Sequence, residues 1–344
     1  MLLARLSAGD ARARSPAFAL WIVGTIMLLM VVLVLSILIG ANPLPMPTVL
    51  GALGGNGTNE ANYVVWTQRM PRTVAGLMVG AALSVAGALV QSYTRNPLAD
   101  TGLLGVNAGA AFFVAIGIAF FGIASPAGYV WLACLGALVL TAIVYIIGSA
   151  GGEAAGPVRL TMAGVALGAV FSGLTTGLTL THPDAFERMR GWSVGSLLER
   201  DFSVLMPIAP FLVCGIAIAA WVAPGLNSIS LGSDVARSQG VNVGRTQALV
   251  LLAVTLLAGG ATAIAGPLVF VGLVVPHIVR WGVGVDQRKI ILGSLLFGPC
   301  LVLLSDIVGR VAVLPSEMPV GVVTAFVGAP LLIGLVRRAK ASGL

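Results

Sequence analysis

Asp306 and Arg310 stand four residues apart in an otherwise apolar stretch, a spacing that sets a carboxylate and a guanidinium side by side on one helix face. Two readings of the aspartate are open. It can be the ion-pair partner of Arg310, or a relay carboxylate of the kind that proton- and sodium-driven carriers keep inside the membrane. His277 and His182 lie at the ends of apolar runs, and Cys134, Cys214 and Cys300 each sit alone inside one. That spacing suits neither a zinc site nor a disulfide. The two lysines, Lys289 and Lys340, end no G-x-x-x-x-G-K-[ST] loop, so the chain is not its own P-loop ATPase. No H-E-x-x-H, Ser–His–Asp or paired-carboxylate set occurs either. The reactive residues are few, and they form no catalytic group.

Other polar residues are suited to lining and holding rather than reacting. Ser172, Thr175, Thr176 and Thr179 are offset by 3, 4 and 7, which places their hydroxyls on one helical face. Such hydroxyls either bond their own helix carbonyls or make a mildly polar wall. In the turn from Arg95 to Asp100, Pro97 disfavours helix at Asn96. This is a plain tight turn, or irregular backbone lining a cavity. In the polar segment 226–246, Ser233 can cap a short helix running through Asp234, Arg237 and Gln239, and Gly240 suits its stop. Arg69, Arg72 and Arg310 fall at span ends, where long basic side chains snorkel to the interface.

The elements that must position these residues are membrane helices. Of 344 residues 58% are hydrophobic and 9% charged, against roughly 25% charged in soluble domains. That composition excludes a cytosolic enzyme, a disordered chain and a nucleic-acid-binding domain. About 200 apolar residues, at about 20 per crossing, allow on the order of ten spans. Hydropathy places them near 17–40, 72–93, 103–122, 127–149, 159–181, 202–222, 246–265, 268–284, 290–312 and 319–336. The first is too long for a signal-peptide core and is expected to be a retained span. The eighth is short and rich in Gly and Pro, and is expected to be broken or re-entrant. With the N-terminus in the cytoplasm, thirteen of the nineteen basic residues fall inside. Six fall outside: Arg69, Arg72, Arg188, Arg190, Arg200 and Arg310. That distribution obeys the positive-inside rule and puts both termini in the cytoplasm. The expectation is a single all-α domain, a polytopic bundle in the cytoplasmic membrane. Gly76/Gly80, Gly105/Gly109, Gly164/Gly168 and Gly173/Gly177 are small-xxx-small pairs that suit close helix contact.

Several segments occur together in a familiar order: Gln68-Arg69-Met70-Pro71-Arg72, Arg95-Asn96-Pro97-Leu98-Ala99-Asp100, Leu103-Leu104-Gly105-Val106-Asn107-Ala108-Gly109-Ala110, Phe270 through His277 with Arg280, Asp306 with Arg310, Glu317-Met318-Pro319-Val320-Gly321 and Gly328-Ala329-Pro330. From about residue 66 to 338 the series resembles the FecCD family, the permeases of ABC importers for iron siderophores, haem and cobalamin. Two positions depart from its pattern, Thr101 and Gln287.

The resemblance implies a subunit that dimerises with an identical or homologous permease around a central path. It implies two ATP-binding subunits below and a substrate-binding protein docked above. ATP and Mg would belong to the ATPases, and this chain would bind no cofactor. Residue by residue, it implies an inner gate at Asn96 and Leu98, and a path wall from Ser172, Thr175, Thr176 and Thr179. It further implies ATPase coupling through Ser233, Asp234, Arg237 and Gly240, and docking of the binding protein on Arg69, Arg72 and Arg310. Asn107-Ala108-Gly109-Ala110, His182-Pro183-Asp184 and Leu231-Gly232-Ser233-Asp234 look like the ferric-enterobactin type. The expected function is therefore ferric siderophore import by alternating access. Haem or cobalamin import is the near alternative, and an ion-coupled secondary carrier the alternative from another class.

Overall fold

The computed structural model describes residues 2–149 and 157–341, and every regular element in them is helical. In chain order these are α1 (Leu2–Leu38), α2 (Met46–Leu53), α3 (Asn59–Asn62), a π-helical turn (Tyr63–Arg69), α4 (Met70–Thr94) and a 3-10 turn (Thr101–Leu104). Then come α5 (Val106–Phe121), α6 (Pro126–Ser149), α7 (Pro157–Thr181), α8 (Pro183–Ser193) and α9 (Phe202–Ser230). The last are α10 (Ser233–Ser238), α11 (Val243–Ala265), α12 (Val271–Val283), α13 (Gln287–Ala312) and α14 (Val320–Ala341). Seven are long and apolar enough to cross a membrane: α1 from Phe18, α4 with the turns leading into it, α6, α7, α9, α11 and α13. Three shorter apolar helices, α5, α12 and the Val320–Gly334 part of α14, occupy the other positions where hydropathy expects spans.

α4 is the axis of the bundle, packed against α13, α11, α12 and α9. Its small residues explain why. A Cβ on Gly80 would collide with the backbone of Gly298 and Pro299 on α13, and one on Gly87 with the backbone of Gly272 on α12. Lipid offers no hydrophobic drive between helices, so close backbone approach supplies the attraction. The expected pairs divide by location. Gly76 and Gly109 face neighbouring helices, Gly164 faces the 3-10 turn at Leu103 and Leu104, and Gly105 has φ +78° at the start of α5. Gly168, Gly173 and Gly177 on α7 face nothing in this chain.

Two segments depart from their expected extents. α9 continues past residue 222 to Ser230 through Pro224, because Ala223, Leu226 and Ile229 keep its inner end buried. α12 has 13 residues, about 20 Å of helix against a hydrocarbon core of about 30 Å. Gly272 lies against Gly87, about 25 Å down α4 from Met70 at 1.5 Å per residue. α12 therefore fills only the inner half of the bundle. Its outer half is replaced by non-helical Gly266–Phe270, in which Gly266 and Phe270 both have positive φ. Leu268 is buried there, and the stretch lies against Gly195, Gly321 and Gly328. Irregular backbone enclosed by protein in this way is tolerated within a membrane.

Candidate functional site

At the outer end, Arg69, Arg72 and Arg310 are 4%, 9% and 1% exposed. They are therefore not free rim charges, which corrects the expectation that they offer exposed charge to a docking partner. Arg72 donates through Nε and Nη2 to Asp306 and through Nη1 to Glu317 Oε2 at 2.6 Å. Arg310 donates to Asp306 Oδ2, which also accepts from Arg72 Nε, through Nε (3.0 Å) and Nη2 (2.5 Å). The ion pair suggested by the Asp306–Arg310 spacing is thus half of a four-residue cluster. The sequence pointed to that half through the i, i+4 spacing; it carried no sign of Arg72 and Glu317 as further partners.

The remaining guanidinium donors hold the end of α1. α1 stops at Leu38 with no basic residue in its last turn, which leaves terminal carbonyls without helical partners. Arg310 Nη1 donates to the carbonyls of Ser36 and Ile39. Arg69 donates to those of Ile37, Leu38 and Asn42 at 2.7–2.8 Å. Two cations at the negative end of the helix dipole stabilise it as well as satisfying it. The three arginines, with Glu317, Glu199 and Arg200, border an outer cleft of about 740 Å³. Arg200 is committed too, donating to the Ile264 carbonyl at the end of α11. Burial lowers its pKa, with Glu199 opposing the shift.

On α7, Thr175 donates to the Phe171 carbonyl, Thr176 to that of Ser172 and Thr179 to that of Thr176. Each threonine hydroxyl bonds its own helix, which favours the local reading over an open polar wall. The helix itself is conspicuously uncovered. Within its apolar stretch 6% of residues are buried, against 83% for the α4 span.

At the inner end, Arg95 ends α4 in the left-handed region with φ 51°. Asn96 and Leu98 follow on an exposed turn that Asn96 closes by accepting from the Leu98 N–H at 2.9 Å. Asp100 then caps the 3-10 turn by accepting from Gly102 N–H. Its burial raises its pKa, and that backbone bond opposes the shift. One turn above Arg95, Gln91 donates to the carbonyls of Gly272 and Leu273, clamping the start of α12, and accepts from Arg280 Nη1 at 2.6 Å. Ser92 donates to Gln287 Oε1, so α4 is tied to both α12 and α13. Gln91, Ser92, Arg280 and Gln287, with Asn227 and Ser230 of α9 and Leu231 just beyond it, border a second cleft of about 620 Å³.

Beside that cleft, α10 carries the segment expected to meet an ATPase. Gly232, with φ 128°, is its N-cap, and Ser233 forms no capping bond. This corrects the expected cap: Ser233 already lies inside the first turn. Gly240 has φ +80° and follows the helix as expected. Ala236 is buried with Ile229 and Val243, while Asp234 and Arg237 pair at 3.2 Å on the exposed side.

A model of the FecCD transport family matches residues 28–338. The ferric enterobactin transport system permease protein FepD of Escherichia coli is 49% identical over 94% of this chain and 97% of its own length. The probable siderophore permease YfiZ of Bacillus subtilis is 40% identical over 82% of this chain and 85% of its own. The hemin permease HmuU of Yersinia pestis is 35% identical over 92% and 96%. Among solved structures, an inward-facing conformation of a metal-chelate type ABC transporter matches with TM-score 0.80 and 28% identity. That match covers 92% of this chain and 98% of the other.

Proposed function

The chain belongs to the FecCD transport family, and on that premise we propose that it is the permease subunit of an ATP-binding-cassette importer that moves ferric siderophore across the cytoplasmic membrane. The observation that carries the substrate class is the 49% identity, along nearly the whole chain, to a ferric enterobactin permease. The sequence contains no P-loop, so ATP and Mg belong to two partner ATPases, and this chain holds no cofactor of its own. A substrate-binding protein delivers the chelate at the outer face, and a second permease, identical or homologous, completes the path.

The uncovered α7 and the exposed Phe326 and Ile333 of α14 supply the face for the second permease. The side of α7 that carries Ser172, Thr175, Thr176 and Thr179 turns toward the shared path, and Asn96 and Leu98 stand at its inner gate. ATP-driven closure of the ATPases moves α10 through Asp234 and Arg237, with Ser233 and Gly240 fixing its ends, and the path opens to one side at a time. Arg69, Arg72 and Arg310 serve docking by holding the outer cleft in shape. The ion-coupled alternative is opposed by Asp306, whose carboxylate is committed to Arg72 and Arg310.

Uptake assays test this reading. The permease, its ATPase, its second permease and its binding protein are reconstituted in vesicles and offered a panel of radiolabelled ferric chelates, haem and cobalamin. ATP-dependent uptake of a catecholate or other ferric siderophore is expected. Uptake of haem or cobalamin alone would reassign the substrate, and ATP-independent uptake driven by an ion gradient would overturn the class.

A further inference from the structure

The inner cleft holds an imbalance of charge that no residue among those described answers. Its walls carry Arg95, Arg280 and Asp286. Asp286 is already engaged: it accepts from Asn227 Nδ2 at 2.9 Å and from the Arg288 N–H at 3.1 Å, capping α13. Arg280 is partly buried and donates to the Gln91 amide oxygen. Among the described residues it pairs with no carboxylate, and neither does Arg95. The Nδ1 atom of His277, on the same wall, is buried without a hydrogen-bond partner. A guanidinium removed from bulk water and answered only by a neutral amide carries an uncompensated desolvation cost. It also keeps donors in a fork that matches a carboxylate.

The location limits what can enter. The cleft lies beneath α4, the most enclosed span, and is bordered by the cytoplasmic turns at Arg95–Pro97 and Val285–Asp286. It therefore opens toward the cytoplasm rather than sideways into lipid. Ser230 and Leu231, on its rim, lead directly into α10. A protein that grips α10 covers this opening.

We propose that the inner cleft receives an acidic side chain of the ATPase subunit, held by Arg280 and Arg95, as a second contact beside α10. This rests on the reading of the chain as an ABC permease. The incoming carboxylate would compete with Gln91 for Arg280 Nη1. Since Gln91 also clamps the Gly272 and Leu273 carbonyls, the contact would bear directly on the seat of α12.

Zero-length crosslinking tests it. The chain has two lysines, Lys289 and Lys340, so background amines are few. Arg280→Lys and, separately, Arg95→Lys are prepared with the ATPase in nanodiscs containing phosphatidylserine and treated with a carbodiimide, which joins an amine to a carboxylate. A bond from the introduced lysine to an Asp or Glu of the ATPase is expected, read by mass spectrometry. Arg95 is exposed, so its variant stays informative even where Arg280→Lys folds poorly. In parallel, Arg95→Glu should weaken ATPase association about tenfold at low salt with an unchanged melting midpoint. Normal association of Arg95→Glu, with no crosslink at either lysine, would overturn the inference and leave the permease reading standing. Coupling to phosphatidylserine in place of the ATPase would overturn it in favour of a lipid site. Failure of the wild-type permease to bind an ATPase would overturn both.

Discussion

Arg72 and Asp306 lie 234 residues apart in sequence and meet in a fork, with Nε and Nη2 of the guanidinium both donating to the carboxylate at 2.8–3.1 Å. Asp306 is 1% exposed and also serves Arg310. One carboxylate thus fixes the outer ends of α4 and α13 to each other. Removing one member of such a buried set leaves the others uncompensated, which costs far more than losing an exposed pair.

Asp306→Ala should therefore destabilise the protein by about 3–5 kcal/mol, seen as a lower melting midpoint in detergent and reduced yield. Reversing Arg69 and Arg72 to Glu should act the same way, through folding first and binding-protein docking second. A melt like that of wild type, with docking lost, would restore the exposed-charge role.

Arg310→Lys keeps the charge and loses the fork. A single ammonium is a point charge on a flexible stem and cannot reproduce the guanidinium geometry that reaches Asp306 and the Ser36 and Ile39 carbonyls together. A loss of about 1–3 kcal/mol is expected from buried acceptors left unpaired. Thermal melts measure it, and proteolysis near residues 39–45 should report the loosened end of α1.

Gly87→Ala and Gly173→Ala are the same chemical change with opposite expectations. At Gly87 the new methyl meets the backbone of Gly272, so helices must separate, at a cost of about 1–3 kcal/mol. At Gly173 nothing lies within 4 Å, and the isolated subunit should gain slightly, since alanine favours helix by up to about 1 kcal/mol. Crosslinking between permease subunits across α7 should fall in bulkier variants such as Gly173→Leu if that face meets the second copy.

Asp234→Ala and Arg237→Ala remove an exposed pair worth about 0–1 kcal/mol, so the melting midpoint should hardly move. Transport and the stimulation of ATP hydrolysis by loaded binding protein should fall together. Normal uptake in vesicles by the double variant would reject the coupling role of α10.

Hydropathy and charge counting made the positions of the apolar helices legible, because a twenty-residue run without charge has few other fates. The short α12 was legible too, through its Gly and Pro content. The extent of α9 was not, since Pro224 reads locally as a stop while burial of Leu226 and Ile229 carries the helix on. The outer arginines show the main limit. Their places at span ends were plain, but whether a charge faces solvent or a distant carboxylate is settled by tertiary contacts. Arg72 meets Glu317 across 245 residues of chain, and no local period records that. Ser233 shows the same limit at short range: a good capping residue was displaced one position by Gly232, whose φ of 128° starts the helix instead.

The capping of α1 also sets an order of events during synthesis. α1 leaves the ribosome well before α13, yet two of the carbonyls at its end, those of Ser36 and Ile39, wait for Arg310 on α13. Arg69 arrives early enough to cover Ile37, Leu38 and Asn42. A nascent chain halted before Gln287 would hold a half-finished cap, with Arg72 facing no Asp306. The outer end of the bundle therefore closes only when α13 inserts, and a chain cut short before it keeps an unfinished helix end.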